Sequence, residues 1–376
     1  MRKIFLVTER RADYSRFKPI LELVQMEPEL DYDLVVTGIH LKKEHGMTIN
    51  EIINDGFKIF STFEMFEETE DTGAAMVRSL ATATQKITYE LEKSKPDLIL
   101  SGFDIAANFA VTIAGAHMNI PVAHIQGGEV SGTIDESIRH AMSKFAHYHF
   151  AANDDACQRL IKMGEEPKRV FNVGCPSIDA IKKVVKISKK EIIEKYNLND
   201  SYALILQHPV TSEINDSEFQ INETLDAVLE SGVSALIICP NNDAGHSSIV
   251  KKIKETNIQY VATLSLVDYV NLLRHSSMLI GNSSSGIHET ATFKIPTINI
   301  GSRQSGRLRA ENVIDAGYNK EEIKKAIEAC LTSHSFLEGC EKCINPYGSG
   351  DSAQKIIQLL KTIDISKRII QKRILY

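Results

Sequence analysis

The stretch DLILSGFDIAANFAVTIAGAHMNIPVAHIQ, residues 97–126, contains two short apolar runs, DLILSG and PVAHIQ. A segment of helical period, Ile105–His117, separates them. An apolar run of this length shows no polar face to water, so it reads as a strand buried on both sides. A helix between two such strands carries the chain back and makes them parallel. The rhythm extends both ways. Upstream lie KIFLVT, DLVVTG and FKIFST, with helical patterns at Phe17–Met26 and Ala74–Glu92. Downstream lie HYHFAA and VFNVG, with helical patterns at Glu136–Phe145 and Asp155–Met163.

A lysine-rich passage opening on proline, CPSIDAIKKVVKISKKEIIEKYNL, then interrupts the alternation and reads as a domain crossing plus an exposed helix. Beyond it the pattern resumes with YALILQ, ALIICP, QYVATL, MLIGN and TINIG. Helical patterns there cover Phe219–Glu230, Ser247–Thr256, Val267–Arg274, Gly286–Phe293 and Lys320–Leu331. The segment from Ser352 to about Ile374 reads as one long helix or a kinked pair. With 376 residues, 43% of them hydrophobic, the chain has material for two cores. The expected architecture is α/β: two doubly wound, Rossmann-like domains facing each other across a cleft. The expected boundaries are 1–174, 175–351 and a terminal helix over 352–376 that packs back on the first domain.

Charge and cysteine usage exclude several classes. The net charge is −6 with no long block of like sign, so a nucleic-acid footprint is not expected. The basic run SKRIIQKRILY reads as a solvated helix face. The N-terminal apolar run is too short for a signal peptide or a membrane span, so a cytoplasmic protein with no membrane partner is expected. Of six cysteines only Cys340 and Cys343 form a C-x-x-C, and no second pair completes a zinc site. No metal is expected, and the thiols read as free.

Ligands of such sheets bind beyond the carboxyl ends of the strands. MLIGNSSSGIHE, Met278–Glu289, is a strand end opening onto a helix. Asn282, Ser283, Ser284, Ser285 and Gly286 let backbone N–H groups approach an anion. The same turn reads equally as a capped helix start with Ser285 as N-cap. Glu289, one turn in, suits a ribose. QHPVT and PNNDAG follow two other strands. His208 there is a phosphate donor, a catalytic group or a structural histidine, and Asp243 suits a sugar or ribose hydroxyl. After the first strand, TERRADYSRFKP carries Arg10, Arg11 and Arg16. An arginine fork suits a diphosphate. For Arg10 and Arg16, surface ion pairs are the expectation. Asp104 reads as an N-cap. HIQGGEVSGTIDESIRH, His124–His140, joins a glycine loop bearing Glu129 to a helix bearing Asp135, Glu136, Arg139 and His140. A carboxylate beside an arginine has a tunable pKa, as acid–base chemistry requires. Asp135 and Glu136 also suit a helix N-terminus.

The sequence resembles the hydrolysing UDP-N-acetylglucosamine 2-epimerases of sialic and related nonulosonic acid biosynthesis. The likeness rests on RADYS, VTGIH, GGEVSGTIDESIRHAMSKFAHYH, QHPVT, PNNDAG, IGNSSSGIHE and GSRQSGR, which follow in order along nearly the whole chain. It implies a GT-B-like fold, a UDP-sugar substrate, no cofactor, and a homodimer or homotetramer. It implies loss of UDP across C1–C2 to a 2-acetamidoglucal, then hydration to the manno sugar. Asp135 matches the family's catalytic aspartate, with Glu129, Asp104 and His208 beside it, while Gln126 and Arg139 face the substrate. Two positions depart. The family usually carries Gly-Asp-Arg where this chain has Gly102, Phe103 and Asp104, and glutamate where it has Gln126. Phe103 and Gln126 make a less acidic pocket, which suits a 2,4-diacetamido-2,4,6-trideoxy sugar with a methyl at C6. A GT-B glycosyltransferase, or a UDP-sugar binder without activity, are the competing classes. UDP release without an acceptor separates the first from the epimerase, and tight binding without turnover marks the second.

Overall fold

The computed structural model describes residues 1–66 and 72–375. Seven strands form the first sheet: β1 (Arg2–Thr8), β2 (Leu30–Thr37), β3 (Ile59–Phe63), β4 (Leu98–Gly102), β5 (Val122–Ile125), β6 (Tyr148–Ala151) and β7 (Val170–Asn172). Their order is β3-β2-β1-β4-β5-β6-β7. Six strands form the second: β8 (Ala203–Leu206), β9 (Ala235–Ile238), β10 (Gln259–Val261), β11 (Met278–Gly281), β12 (Thr297–Ile300) and β13 (Val313–Ala316). Their order is β10-β9-β8-β11-β12-β13. The pairings are parallel in both.

Alternate residues of each strand feed opposite faces, as a period of two requires. Ile4 and Leu6 join Phe17, Ile20, Leu34 and Leu100 on one face of the first sheet. Phe5 and Val7 join Val35, Ile87, Ile99 and Val111 on the other. In the second sheet Ile205, Ile237 and Ile280 face one way, and Leu204, Leu236 and Leu279 the other. Strand order reverses between β1 and β4 and between β8 and β11. The segments leaving those strands therefore diverge and leave a crevice at each switch point.

The crossing passage forms two helices, Pro176–Lys183 and Lys189–Tyr196. The first is buried, with Ile178 and Ile181 packed against Val270, Ile287 and Tyr347. The last helix, Ser352–Thr362, sets Ala353, Ile356, Ile357 and Leu360 against Phe17, Ile20 and Leu21 of the first domain. It ends at Thr362, not near Ile374, and only a short 3-10 turn, Lys367–Ile369, follows. Asp364 stops it by taking the Ser366 N–H at 2.8 Å, a local bond that competes with helix. Gly286–Phe293 likewise splits into a short α turn, Ser285–His288, and a 3-10 turn, Thr290–Phe293. Among the described residues no helix is long and apolar enough to cross a membrane. All six cysteines are free thiols.

Candidate active site

The first helix begins at Arg11, one residue after a cap that sequence periodicity does not show. The Asp13 carboxylate accepts the N–H groups of Glu9 at 2.9 Å and Arg10 at 2.8 Å. That cap aims three arginines differently. Arg10 crosses to the second domain and pairs with Asp243 at 3.1 Å. Arg11 pairs with Glu51 at 3.2 Å and donates to Thr263. Arg16 turns into a cleft of about 560 Å³ between the domains. Its guanidinium donates to Ala12 O at 3.1 Å and has no carboxylate within ion-pair distance among the described residues. Arg10 and Arg16 are thus not surface ion pairs: one joins the domains, and the other is a cleft cation.

The carboxyl ends of β4 and β5 are strained. Phe103, Asp104 and Gln126 have φ of 71°, 44° and 60°, in the left-handed region that costs a non-glycine residue about 1–3 kcal/mol. The double left-handed turn sends Asp104 to the Arg139 guanidinium, with which it pairs. Ile105, not Asp104, is the N-cap of the next helix. The same turn folds Phe103 back into the core, 6% exposed, against Phe17. Phe103 therefore packs against Phe17 and under Arg16 and is not among the residues that line the cleft.

Gln126 donates to Glu129 Oε1 at 3.0 Å, and its own Oε1 is buried without a partner. Glu129 Oε2 lies 3.1 Å from His288 Nε2 and 3.6 Å from Arg307 Nε, both from the second domain. Burial works against the Glu129 charge, but the His288 hydrogen bond and the Arg307 and Arg139 guanidiniums outweigh it and hold the carboxyl well below the usual range. Burial lowers His288, so the imidazole is neutral. Its Nε2 carries the proton toward Glu129; the other tautomer would face the carboxylate with a lone pair and bury an unpartnered donor at Nδ1. Asp135 behaves oppositely. Burial and the neighbouring Asp104 carboxylate raise its pKa, against Arg303 and Arg139.

Across the cleft, the Asn282 side chain grips the backbone of His208, accepting its N–H at 2.7 Å and donating to its C=O at 2.8 Å. That bridge ties the end of β11 to the end of β8. Gly281 makes it possible: at φ 134° a Cβ there would stand 2.0 Å from Leu206 O. Burial and Arg303 push the His208 imidazole down to about 3, so it is neutral. Ser284, not Ser285, occupies the N-cap position of the short helix. The Ser285 hydroxyl donates to Glu289 at 2.6 Å and contacts the Tyr269 hydroxyl. Asp243 is held low: burial raises it, but Arg10, Arg303 and His208 prevail.

The cleft is lined by Arg11, Arg16, His208 and Ser283–Ser285 with Glu289. Asp104, Glu129, Asp135, Gln126 and Arg139 lie outside that lining. Arg16 links the two groups, since Glu289 of the cleft and Asp104 and Glu129 beyond it all act on its charge. Gly286 packs under the turn, where a Cβ would meet Thr297 at 2.8 Å. Sequence reasoning missed His288, Arg303, Arg307 and Tyr269. The two arginines of GSRQSGR, Arg303 and Arg307, are the signal that could have pointed to an anion. Among the described residues no group of three or more His, Cys, Asp or Glu is placed to hold a metal.

Residues 22–361 match the family described as UDP-N-acetylglucosamine 2-epimerase. The chain belongs to that family. Within it, a "UDP-N,N'-diacetylbacillosamine 2-epimerase (hydrolyzing)" of Legionella pneumophila is 33% identical over 99% of both chains. A UDP-N-acetylglucosamine 2-epimerase of Neisseria meningitidis serogroup B is 32% identical over 89% of both. The fold of this 2-epimerase family member is also that of a Neisseria meningitidis UDP-GlcNAc 2-epimerase solved with UDP-GlcNAc. That likeness has a TM-score of 0.80 at 18% identity, over 95% of this chain and 99% of the other.

Proposed function

We propose that the protein is a hydrolysing UDP-N-acetylglucosamine 2-epimerase, releasing UDP and N-acetylmannosamine for nonulosonic acid synthesis. One observation carries the reading. The Ser283–Ser285 turn, His208, Arg11 and Arg16 line one cleft between the domains, and the carboxylates Asp104 and Glu129, which follow β4 and β5, act electrostatically on that same Arg16, which has no ion-pair partner among the described residues.

The chemistry follows from that opposition. A base removes the C2 proton, the C–H electrons become the C1–C2 double bond, and the C1–O bond breaks to release UDP. Water then adds its hydroxyl to C1 and a proton to the other face of C2. Asp135 is the acid–base group, because burial and Asp104 raise its carboxyl above the ordinary range, which makes it a better base toward the C2 proton. Arg139 fixes Asp104 beside it. Arg16, Arg11 and the Ser283–Ser285 turn hold the diphosphate as charge develops, and neutral His208, fixed by Asn282, donates to it. Glu289, bonded to Ser285, takes the ribose. Glu129 stays ionised and orients Gln126, whose free Oε1 accepts from the sugar. Asp243, tied to Arg10, steadies the sugar side of the closed cleft.

A second substrate, the UDP-linked 2,4-diacetamido-6-deoxy sugar, has support in the relatives, since those named for the two sugars are 33% and 32% identical. The test offers both UDP-sugars in heavy water without an acceptor and identifies products by NMR. Free UDP and a 2-epimerised sugar deuterated at C2 are expected. A UDP-linked epimer would place the protein among non-hydrolysing enzymes, and full protium at C2 would exclude elimination. Asp135→Asn should lower turnover roughly 10²–10⁴-fold with UDP binding intact.

A further inference from the structure

We propose that Phe103 is a positioning residue: its ring seats the Arg16 guanidinium at the diphosphate, an assignment that rests on the UDP-sugar reading above. The Arg16 guanidinium carbon stands 5.3 Å from the centroid of the Phe103 ring. That is within the range at which a cation is attracted to an aromatic face. The ring itself is fixed, because Phe17 meets it at 4.9 Å between centroids and an interplanar angle of 69°.

Arg16 needs such a seat. Its Nε is buried without an acceptor, and its one recorded hydrogen bond goes to its own helix at Ala12 O. Glu289, Asp104 and Glu129 act on its charge, yet none is within ion-pair distance among the described residues. With no carboxylate paired to it among the described residues, no ion pair fixes the guanidinium's place. A ring face beneath it supplies attraction without consuming an N–H, so the donors stay available to phosphate oxygens. The strained turn now has a purpose: φ of 71° at Phe103 directs the ring under Arg16 while Asp104, next along, reaches Arg139.

The test measures UDP and uridine binding by calorimetry on the full chain. Phe103→Leu keeps an apolar side chain in the core and removes the ring. UDP should bind about three- to thirty-fold more weakly, the range of a lost cation–π contact in a desolvated site, while uridine, which has no phosphate, binds unchanged. In an Arg16→Met background the same change should cost nothing further, since the cation it seats is gone. Stepwise fluorination of the Phe103 ring, nearly isosteric and safe for folding, should weaken UDP binding in order of fluorine content. Additive losses in the double variant, a parallel fall in uridine binding, or indifference to fluorination would each overturn the proposal alone. Failure of the unaltered chain to bind UDP would overturn the substrate reading and the proposal with it.

Discussion

Replacing Arg307 by methionine should destabilise the chain more than replacing His288 by glutamine, although both contact the same carboxylate. The reason lies in which partner carries the charge. Glu129 is 4% exposed, and its carboxylate is ionised. Burial keeps His288 neutral, so its Nε2–H gives a hydrogen bond and no positive charge. Arg307 supplies the charge from 3.6 Å while also donating to Val130 O at 3.0 Å. Removing a charged partner from a buried pair costs about 3–5 kcal/mol. Removing a hydrogen bond to a charged group costs about 1.5–3 kcal/mol, and glutamine at 288 restores part of it. Both are read as midpoint shifts in urea, followed by two spectroscopic probes because two domains need not unfold together. Combining Arg307→Met with Glu129→Gln should recover most of the loss, since no buried charge is then left alone. A larger effect at His288 than at Arg307 would refute the reasoning and make the imidazolium the counter-ion. Because Glu129 is held low, its contribution is present above about pH 4.3 and is lost as pH falls toward its folded value.

Acid should weaken the fold well before the carboxylates titrate. His147 accepts the Val122 N–H at Nδ1, 3.0 Å away, and burial lowers it to about 4. The unfolded chain binds this proton from about pH 6.5 downward and the folded chain does not, so stability falls as pH drops through that window. At about pH 5 the loss is about 2 kcal/mol from His147, and His147→Gln should flatten the urea midpoint against pH by that amount. Gly132→Ala would set a Cβ 1.9 Å from Ser302 O across the domain boundary. It should therefore lower UDP affinity and turnover together while the far-ultraviolet circular dichroism is unchanged.

The alternation of strands and helices is legible in the sequence because each strand is buried on both sides and must be apolar throughout. Elements with weaker burial are not. β13 is four half-exposed or exposed residues at a sheet edge, and its sequence VIDA carries no run to notice. Helix His334–Lys342 buries only Cys340. The start of the first helix hides behind a polar turn, since its cap is made by Asp13 from inside. Within the site, strand ends bring Asp104, His208, Asn282 and Ser283–Ser285 to the expected edges. What spacing cannot reveal is pairing across domains. Nothing near Glu129 in sequence points to His288, which lies 159 residues away.

Backbone handedness is the other illegible element, and it decides what the departure at Phe103 means. Counting positions places Phe103 where relatives usually carry aspartate, and so in the sugar pocket. The left-handed turn instead buries position 103 beside Phe17 and brings position 104 to Arg139. The carboxyl is displaced by one residue along the chain. Phe103→Asp, which restores the aspartate but leaves Asp104 in place of the arginine, should then give no gain in turnover. It places a carboxylate in an apolar cluster with Phe17, Leu100 and Tyr14, where Arg16 is the cation that faces the side chain among the described residues. Desolvation opposes that charge, and the new carboxylate competes with phosphate for Arg16. Stability should drop by about 2–4 kcal/mol in urea, and UDP should bind more weakly. A variant as stable as the parent, with unchanged UDP affinity and faster turnover, would mean that position 103 faces the sugar and that the handedness of this turn has been misjudged.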